Sequence, residues 1–220
     1  MTHACCLFDS DPCFSLGLET LIRAQFPDQS DLRFYLPARA PQLLARLGKS
    51  GGRSQRLWVF CDLDALPPPR FQALSQLKNL LRERNKKLVM VLSQHHLPFF
   101  FTLFTFLPEA HWLLKHEGMA NVRPFLNGLL EERAGERRFC PSLVDYTRTR
   151  LRSGQPYHVL SKEEWWLVEK LLTGTTLSQL ARETGIDVRR LSYIKRRLML
   201  KMKLKNNVEF FSEFKWIGDK

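Results

Sequence analysis

Between Val188 and Met202 six cations, Arg189, Arg190, Lys195, Arg196, Arg197 and Lys201, are interleaved with Ser192, Tyr193 and aliphatic residues. Such a density of cations can neutralise phosphates, and an arginine can also pair bidentately with a guanine edge. At 100° per residue, Leu191, Ile194, Leu198 and Met202 fall in one narrow sector. Arg189, Tyr193, Arg196 and Leu200 fall opposite, flanked by Ser192 and Arg197. A helix buried through the first set and open on the second could enter a major groove. Lys195 lies near the buried edge, where a long side chain reaches a phosphate more readily than a base. A second set of reactive groups is spread along the first half. Asp9, Asp62, Ser93 and Lys115 each follow an apolar run, namely Ala4–Phe8, Leu57–Cys61, Leu88–Leu92 and His111–Leu114.

The apolar runs predict the elements that place these groups. Each reads as a strand buried on both faces. Helix-like segments separate them, marked by Leu16, Leu18, Leu21, Ile22 and Phe26, and by Phe71, Leu74, Leu77 and Leu81. Strands of this kind between helices predict a parallel sheet covered on both sides, with functional residues at the strands' carboxyl ends. From Glu131 to His158 the periodicity lapses, and the segment reads as a linker with a helix over Ser142–Arg152. Beyond it, Ser161 and Glu164 form a capping box, and Trp165, Leu167, Val168, Leu171 and Leu172 give the helix a buried face. Gly174 suits a turn, Thr176 caps a short helix with Leu177, Leu180 and Ala181, and Gly185 makes a second turn. Asp187 then caps the basic helix, which runs to about Met202. A short helix, a turn and a longer basic helix make a helix-turn-helix.

Composition agrees. The chain carries 34 Lys+Arg against 22 Asp+Glu, a net charge of +12, with 44% hydrophobic and 25% charged residues. From Arg148 to Lys205, 14 Lys+Arg stand against 5 Asp+Glu, so +9 of the +12 lies there. A solubilising charge would be spread evenly, whereas a local one points to an acidic partner. The five cysteines, Cys5, Cys6, Cys13, Cys61 and Cys140, contain no CxxC pair and read as reduced thiols. The N-terminus shows no secretory pattern, and the longest apolar run, Leu97–Leu107, is too short for a bilayer. A cytoplasmic, nucleoid-associated protein without a membrane partner is expected.

Leu160 to Phe211 resembles the LuxR-type helix-turn-helix of the NarL/FixJ response regulators. The matching pieces are Leu160-Ser161-x-x-Glu164, Gly174 with Leu180-Ala181, Ile186-x-Val188, and Lys201-Met202-Lys203-Leu204-Lys205-Asn206-Asn207. The resemblance implies that Ser192, Tyr193 and Arg196 face bases, while Thr176, Arg189, Arg190 and Lys195 lie near phosphates; Arg197 flanks them. It also implies that the last helix, with Val208, Phe211, Phe214 and Trp216, is a dimerisation helix. Gln179 departs from the glutamate usual in the scaffold helix.

By the same resemblance the first half looks like a receiver domain, an α/β flavodoxin-like fold with a parallel five-stranded sheet. Residues 1–133 would be the receiver-like domain, 134–157 the linker and 158–220 the all-α DNA-binding domain. Asp62 stands where the phosphoacceptor would be, with Asp9, Ser93 and Lys115 completing the pocket. A working receiver also needs Mg²⁺, for which Asp9 and Asp62 are the candidates. Ser10, however, occupies the second acidic position, Asp11 fits only if the loop shifts by one residue, and Pro67-Pro68-Pro69 replaces a flexible turn. The chain is therefore similar to the auxiliary, degenerate-receiver regulators of the RcsB-like group, of the RcsA and BglJ kind. That likeness implies no catalytic residues and no cofactor. It implies a promoter-bound homodimer, or a heterodimer with an RcsB-like response regulator. The aromatic run Leu97–Phe106 is expected to contribute to the dimer face, the plain alternative being a core segment. Rival readings are a conventional regulator phosphorylated at Asp62 and, more remotely, a haloacid-dehalogenase-like phosphatase using Asp62-Leu63-Asp64. A quorum-sensing type of ligand sensor and a nonspecific binder of RNA or membranes are the others.

Overall fold

The computed structural model describes residues 2–26, 32–49, 55–81, 85–130, 137–154 and 159–218. Five parallel strands, β1 (Thr2–Phe8), β2 (Leu32–Tyr35), β3 (Gln55–Asp62), β4 (Lys86–Leu92) and β5 (His111–Leu114), form one sheet in the order β2-β1-β3-β4-β5. That is the flavodoxin-like doubly wound order. The central strands are buried along their length because nearly every residue is apolar: Ala4–Phe8, Leu57–Cys61 and Leu88–Leu92 all lie in the core. Register pairs Phe8 with Cys61, Asp62 with Val91, and Leu92 with Leu114, which brings the carboxyl ends of β1, β3, β4 and β5 to one edge.

Helices α1 (Pro12–Gln25), α2 (Ala40–Lys49), α3 (Arg70–Leu80), α4 (Phe100–Phe106) and α5 (Met119–Leu130) alternate with the strands, and a 3-10 turn over Gln94–Phe99 precedes α4. Asp11 caps α1 by accepting from the Cys13 and Phe14 N–H groups, and Pro12 fills the first helical position, where a missing N–H costs nothing. Leu18, Leu21 and Ile22 of the expected α1 stripe are buried, but Leu16 is 64% exposed. At 100° per residue it lies on the side of the helix opposite the other three. Two elements add to those read from the sequence: the edge strand β2, which has little apolar pattern, and helix α2, which buries Ala40, Leu43 and Leu47. Lys86 holds α2 in place: its buried ammonium donates to the Leu47 carbonyl at 2.7 Å and the Leu80 carbonyl at 3.4 Å, the negative ends of α2 and α3. The five cysteines are free, and burial pushes the Cys5, Cys6 and Cys140 thiols up to about 12.

Residues 131–136 and 155–158, parts of the expected linker, lie outside the described residues. Between them the chain is built into the sheet. Trp112 bridges to Phe139, the Trp112 N–H donates to the Arg138 carbonyl at 2.9 Å, and the Cys140 N–H to the Trp112 carbonyl at 3.0 Å. Helix α6 (Pro141–Arg152) follows, its start held by Glu117, which accepts from the Ser142 N–H at 3.1 Å and its hydroxyl at 2.9 Å.

The chain forms two compact units whose boundaries differ from the contiguous ones read from the sequence. The first comprises Met1–Leu66, Gln76–Leu97 and Leu107–Pro156, and so takes in α6. The second comprises Pro67–Ser75, Pro98–Phe106 and Tyr157–Lys220. It contains α7 (Lys162–Leu172), α8 (Leu177–Thr184), α9 (Val188–Lys201) and α10 (Asn207–Gly218). Its core is aromatic: Phe99 lies 5.0 Å from Trp216 and 5.6 Å from Phe214, and Phe71 lies 5.7 Å from Trp165, centroid to centroid. Glu169 accepts from the Trp165 indole at 3.2 Å and from the Phe71 N–H. Thr102 accepts from the Leu160 N–H at 3.0 Å. Phe99, Phe100 and Leu103 are buried. The run expected to form a dimer face is therefore largely core, because segments far apart in sequence supply the rings that cover it.

Candidate functional site

The geometry of the basic helix is set by three helix ends. Ser161 and Glu164 form the expected box on α7: the Glu164 N–H donates to Ser161 Oγ at 3.1 Å and the Ser161 N–H to Glu164 Oε2 at 2.8 Å. Thr176 and Gln179 form a second box on α8, at 3.2 and 2.8 Å, so the glutamine does locally what a glutamate would. Gly185 then takes φ 70°, a left-handed conformation that only glycine adopts without strain, and Asp187 caps α9 by accepting from the Arg189 N–H at 2.7 Å.

Along α9, Leu191 and Leu198 are fully buried, and Ile194 and Met202 half-buried. On the other side Tyr193 is 63% exposed, and Arg189, Arg190 and Arg196 are exposed, with Ser192 half-buried beside them. Thr176 is exposed at the start of α8. These six groups are free to meet a ligand or lie beside such groups. Two others have partners within the chain. Lys195 donates to Asn207 Oδ1 at 2.9 Å and lies 5.2 Å from the Phe210 ring, and its burial lowers its pKa. Arg197 reaches 3.6 Å from Glu164 Oε1 while remaining 57% exposed. Of α10, Phe214 and Trp216 are buried, leaving Val208 and Phe211 outward.

At the sheet edge, Asp62 is wholly buried and both its oxygens are engaged. Oδ1 accepts from the Asp64 N–H at 3.1 Å; Oδ2 accepts from Ser10 Oγ at 3.2 Å and Lys115 Nζ at 3.0 Å. Lys115 Nζ also donates to Asp9 Oδ1 at 2.7 Å. Burial works against the Lys115 ammonium, but Asp9 and Asp62 outweigh it and raise its pKa. Burial likewise raises the Asp9 carboxyl, against the opposing pull of Lys115 and the Asp11 N–H. Asp9, Asp62 and Lys115 thus come together as expected.

Ser93 does not join them: its hydroxyl donates to Asp64 Oδ2 at 2.7 Å. Asp64 is the centre of a constellation missed in the sequence. His95 Nε2 and His96 Nε2 lie 3.2 and 3.1 Å from its Oδ1, and His96 Nδ1 accepts from the Ser93 N–H at 3.1 Å. Burial would raise the Asp64 carboxyl, but His96, Ser93 and His95 hold it below the usual carboxylate range. The available signal was the His95-His96 pair two residues after a strand-end serine.

The donor set fits Mg²⁺ poorly. Asp9 Oδ2 has no hydrogen-bond partner and could face a cation, but both Asp62 oxygens already accept hydrogen bonds and Ser10 offers a hydroxyl rather than a further carboxylate. Asp11 does not compensate, because its carboxylate caps α1. A hard dication bound through one or two carboxylates needs them unneutralised, and here Lys115 bridges the pair. Nor is Asp62-Leu63-Asp64 arranged for phosphatase chemistry, since the first carboxylate is sealed and the second is held by Ser93 and two imidazoles.

A doubly wound five-stranded unit and a second unit that carries a helix-turn-helix thus make up the chain. No family model and no curated protein matches it. Among solved structures, RcsB from Salmonella enterica serovar Typhimurium bound to promoter P1flhDC in the presence of phosphomimetic BeF3⁻ matches at 12% identity and TM-score 0.53, over 98% of both chains. The same protein bound to promoter rprA matches at 13% identity and TM-score 0.54, over 99% of this chain and 100% of that one. A structure of two RcsB dimers on two parallel DNAs matches at 13% and 0.53, over 98% of each chain. At such identities the likeness carries the fold.

Proposed function

We propose that the protein is a sequence-specific, duplex-DNA-binding transcriptional regulator. The observation that carries this reading is the face of α9: Ser192, Tyr193 and Arg196 project beside Arg189 and Arg190, opposite the buried Leu191 and Leu198. A helix so anchored presents bidentate and hydrogen-bonding groups at a spacing that suits a major groove. The full-length fold match to promoter-bound RcsB supports the same reading. The protein acts in the cytoplasm as a homodimer or as a heterodimer with an RcsB-like response regulator, through Val208 and Phe211 of α10, which stand exposed at 79% and 39%. Among the described residues no helix is long and apolar enough to cross a membrane. It is a non-enzymatic member of the degenerate-receiver kind and needs neither phosphorylation nor Mg²⁺, because Asp62 is buried with both oxygens occupied.

The test is genome-wide mapping of bound sites, with and without a response-regulator partner, followed by binding measurements on a recovered site. Arg196→Ala is expected to weaken the cognate site by about 1–3 kcal/mol and relax the preference at one base pair. An equal loss on random duplex would reduce Arg196 to a phosphate contact and remove the claim of specificity.

A further inference from the structure

The cluster at Asp64 lies outside the DNA-reading face and takes no part in any step described above. Its geometry is that of a ligand set. Both imidazoles bring Nε2 close to the same carboxylate oxygen, Asp64 Oδ1, at 3.2 and 3.1 Å, and the buried His96 Nε2 makes no hydrogen bond there. The ligand atoms of the three residues all lie within 4.8 Å of one another. Ligands bound tetrahedrally at about 2.0–2.1 Å stand about 3.3 Å apart, a separation that both histidine–Asp64 pairs already match. The carboxylate is already oriented: Ser93 Oγ occupies Oδ2 at 2.7 Å, leaving Oδ1 for the imidazole side. A hydrogen bond of this kind fixes the first ligand and sharpens affinity. His96 is wholly buried and its neighbour His95 is 53% exposed, so one side of the cluster is rigid and the other opens to water for a fourth ligand.

We propose that Asp64, His95 and His96 form a binding site for a late first-row divalent metal ion such as Zn²⁺. Two imidazole nitrogens and one carboxylate oxygen suit zinc and its neighbours better than the hard, all-oxygen cations. Binding has a structural consequence. At present His96 Nδ1 accepts the Ser93 N–H, so the neutral ring carries its proton on Nε2, towards Asp64. A metal on Nε2 needs the other neutral tautomer, in which the single ring proton has moved by way of solvent from Nε2 to Nδ1, where it faces the Ser93 N–H as a second donor. The Ser93–His96 hydrogen bond must therefore open when the ion binds, and the turn over Gln94–Phe99 must move with it.

The experiment uses the full, tag-free chain carrying Cys13→Ser, which removes the exposed thiol. After dialysis against chelator it is titrated with Zn²⁺ by calorimetry and with Co²⁺ by visible absorption. One equivalent is expected to bind, with tetrahedral Co²⁺ bands, and the Ser93 amide is expected to lose protection from hydrogen exchange in the loaded form. His95→Ala, an exposed change that the fold tolerates, is expected to weaken binding at least tenfold; Asp64→Asn should do the same, and Ser93→Ala about tenfold. Absence of saturable binding overturns the proposal. So does binding that survives His95→Ala and Asp64→Asn undiminished, which places the ion elsewhere, or binding that leaves the Ser93 amide unchanged.

Discussion

Glu164 serves three partners with one buried carboxylate. It closes the Ser161 capping box, takes Lys201 at 2.9 Å, and lies 3.6 Å from Arg197. Burial alone would raise its pKa, but Lys201, the Ser161 N–H and Arg197 outweigh that and hold it below the ordinary 4.5. A depressed folded value means stability that is fully present above pH 4.5 and is lost as pH falls through the folded value. Glu164→Gln is therefore expected to lower stability by about 1–3 kcal/mol at pH 7, with the difference shrinking below pH 4.5. Denaturant melts of both proteins across pH 3–7 check this, and a pH-independent gap would mean that the charge is irrelevant. The capping box was legible from Ser161-x-x-Glu164, whereas the ion pairs were not, because spacing does not say which cations fold back. The same limit explains Lys195, read as a phosphate contact and found on Asn207. It also explains Ser93, read with Asp62 and found on Asp64. Asp62 itself gives the sharpest control test. Asp62→Asn keeps one acceptor for Lys115 and should leave promoter binding and reporter expression little changed. Loss of regulation in a folded variant would restore phosphorylation control.

At the scale of elements, the helix-turn-helix rests on its caps. Gly185 occupies φ 70° between α8 and α9, and a Cβ there would meet no heavy atom within 4 Å. Any cost of Gly185→Ala is thus conformational rather than steric, about 1–2 kcal/mol, with Gly185→Asn costing less because asparagine tolerates the left-handed region. Equal stability of all three proteins by thermal unfolding would show that the turn relaxes out of that conformation. These elements were the most legible in the chain: Ser161, Thr176, Gly185 and Asp187 all stand where the caps and turn were read. The central strands were legible for the same reason, that a continuous apolar run has few other solutions in a sheet. β2, with Arg33 exposed between half-buried neighbours, carries a weaker signal, since an edge strand buries too little to force a pattern, whereas α2 shows its spacing plainly in Ala40, Leu43 and Leu47. α6 was read as a helix in a linker. Its attachment rests on Glu117 and on backbone bonds to Trp112, which have no hydropathy signature.

For the whole molecule, the second unit is not a contiguous C-terminal segment. Phe71 and Phe99 belong to its core, against Trp165, Phe214 and Trp216. Reading domains from sequence assumes that a boundary cuts the chain once, and an aromatic run such as Leu97–Phe106 then looks surplus to its own domain and suggests an interface. The surplus rings are instead filling a core whose other half begins some 60 residues later. Two outcomes follow from that packing. Phe99→Ala in the full chain removes a fully buried ring and is expected to cost about 3–5 kcal/mol in the unfolding of this unit. A fragment spanning 159–220 keeps every cap of the helix-turn-helix but lacks both phenylalanines, so Trp165 and Trp216 should be solvated, with red-shifted fluorescence and a lower unfolding midpoint than the same helices in the full chain. Should the fragment melt as the intact protein does, with its tryptophans equally shielded, the rings from Pro67–Ser75 and Pro98–Phe106 would be decoration on a core complete without them. Because α9 is anchored through Leu191 and Leu198 in that unit, the fragment's affinity for a cognate site should fall in step with its folded fraction, and raising protein stability with osmolyte should restore it.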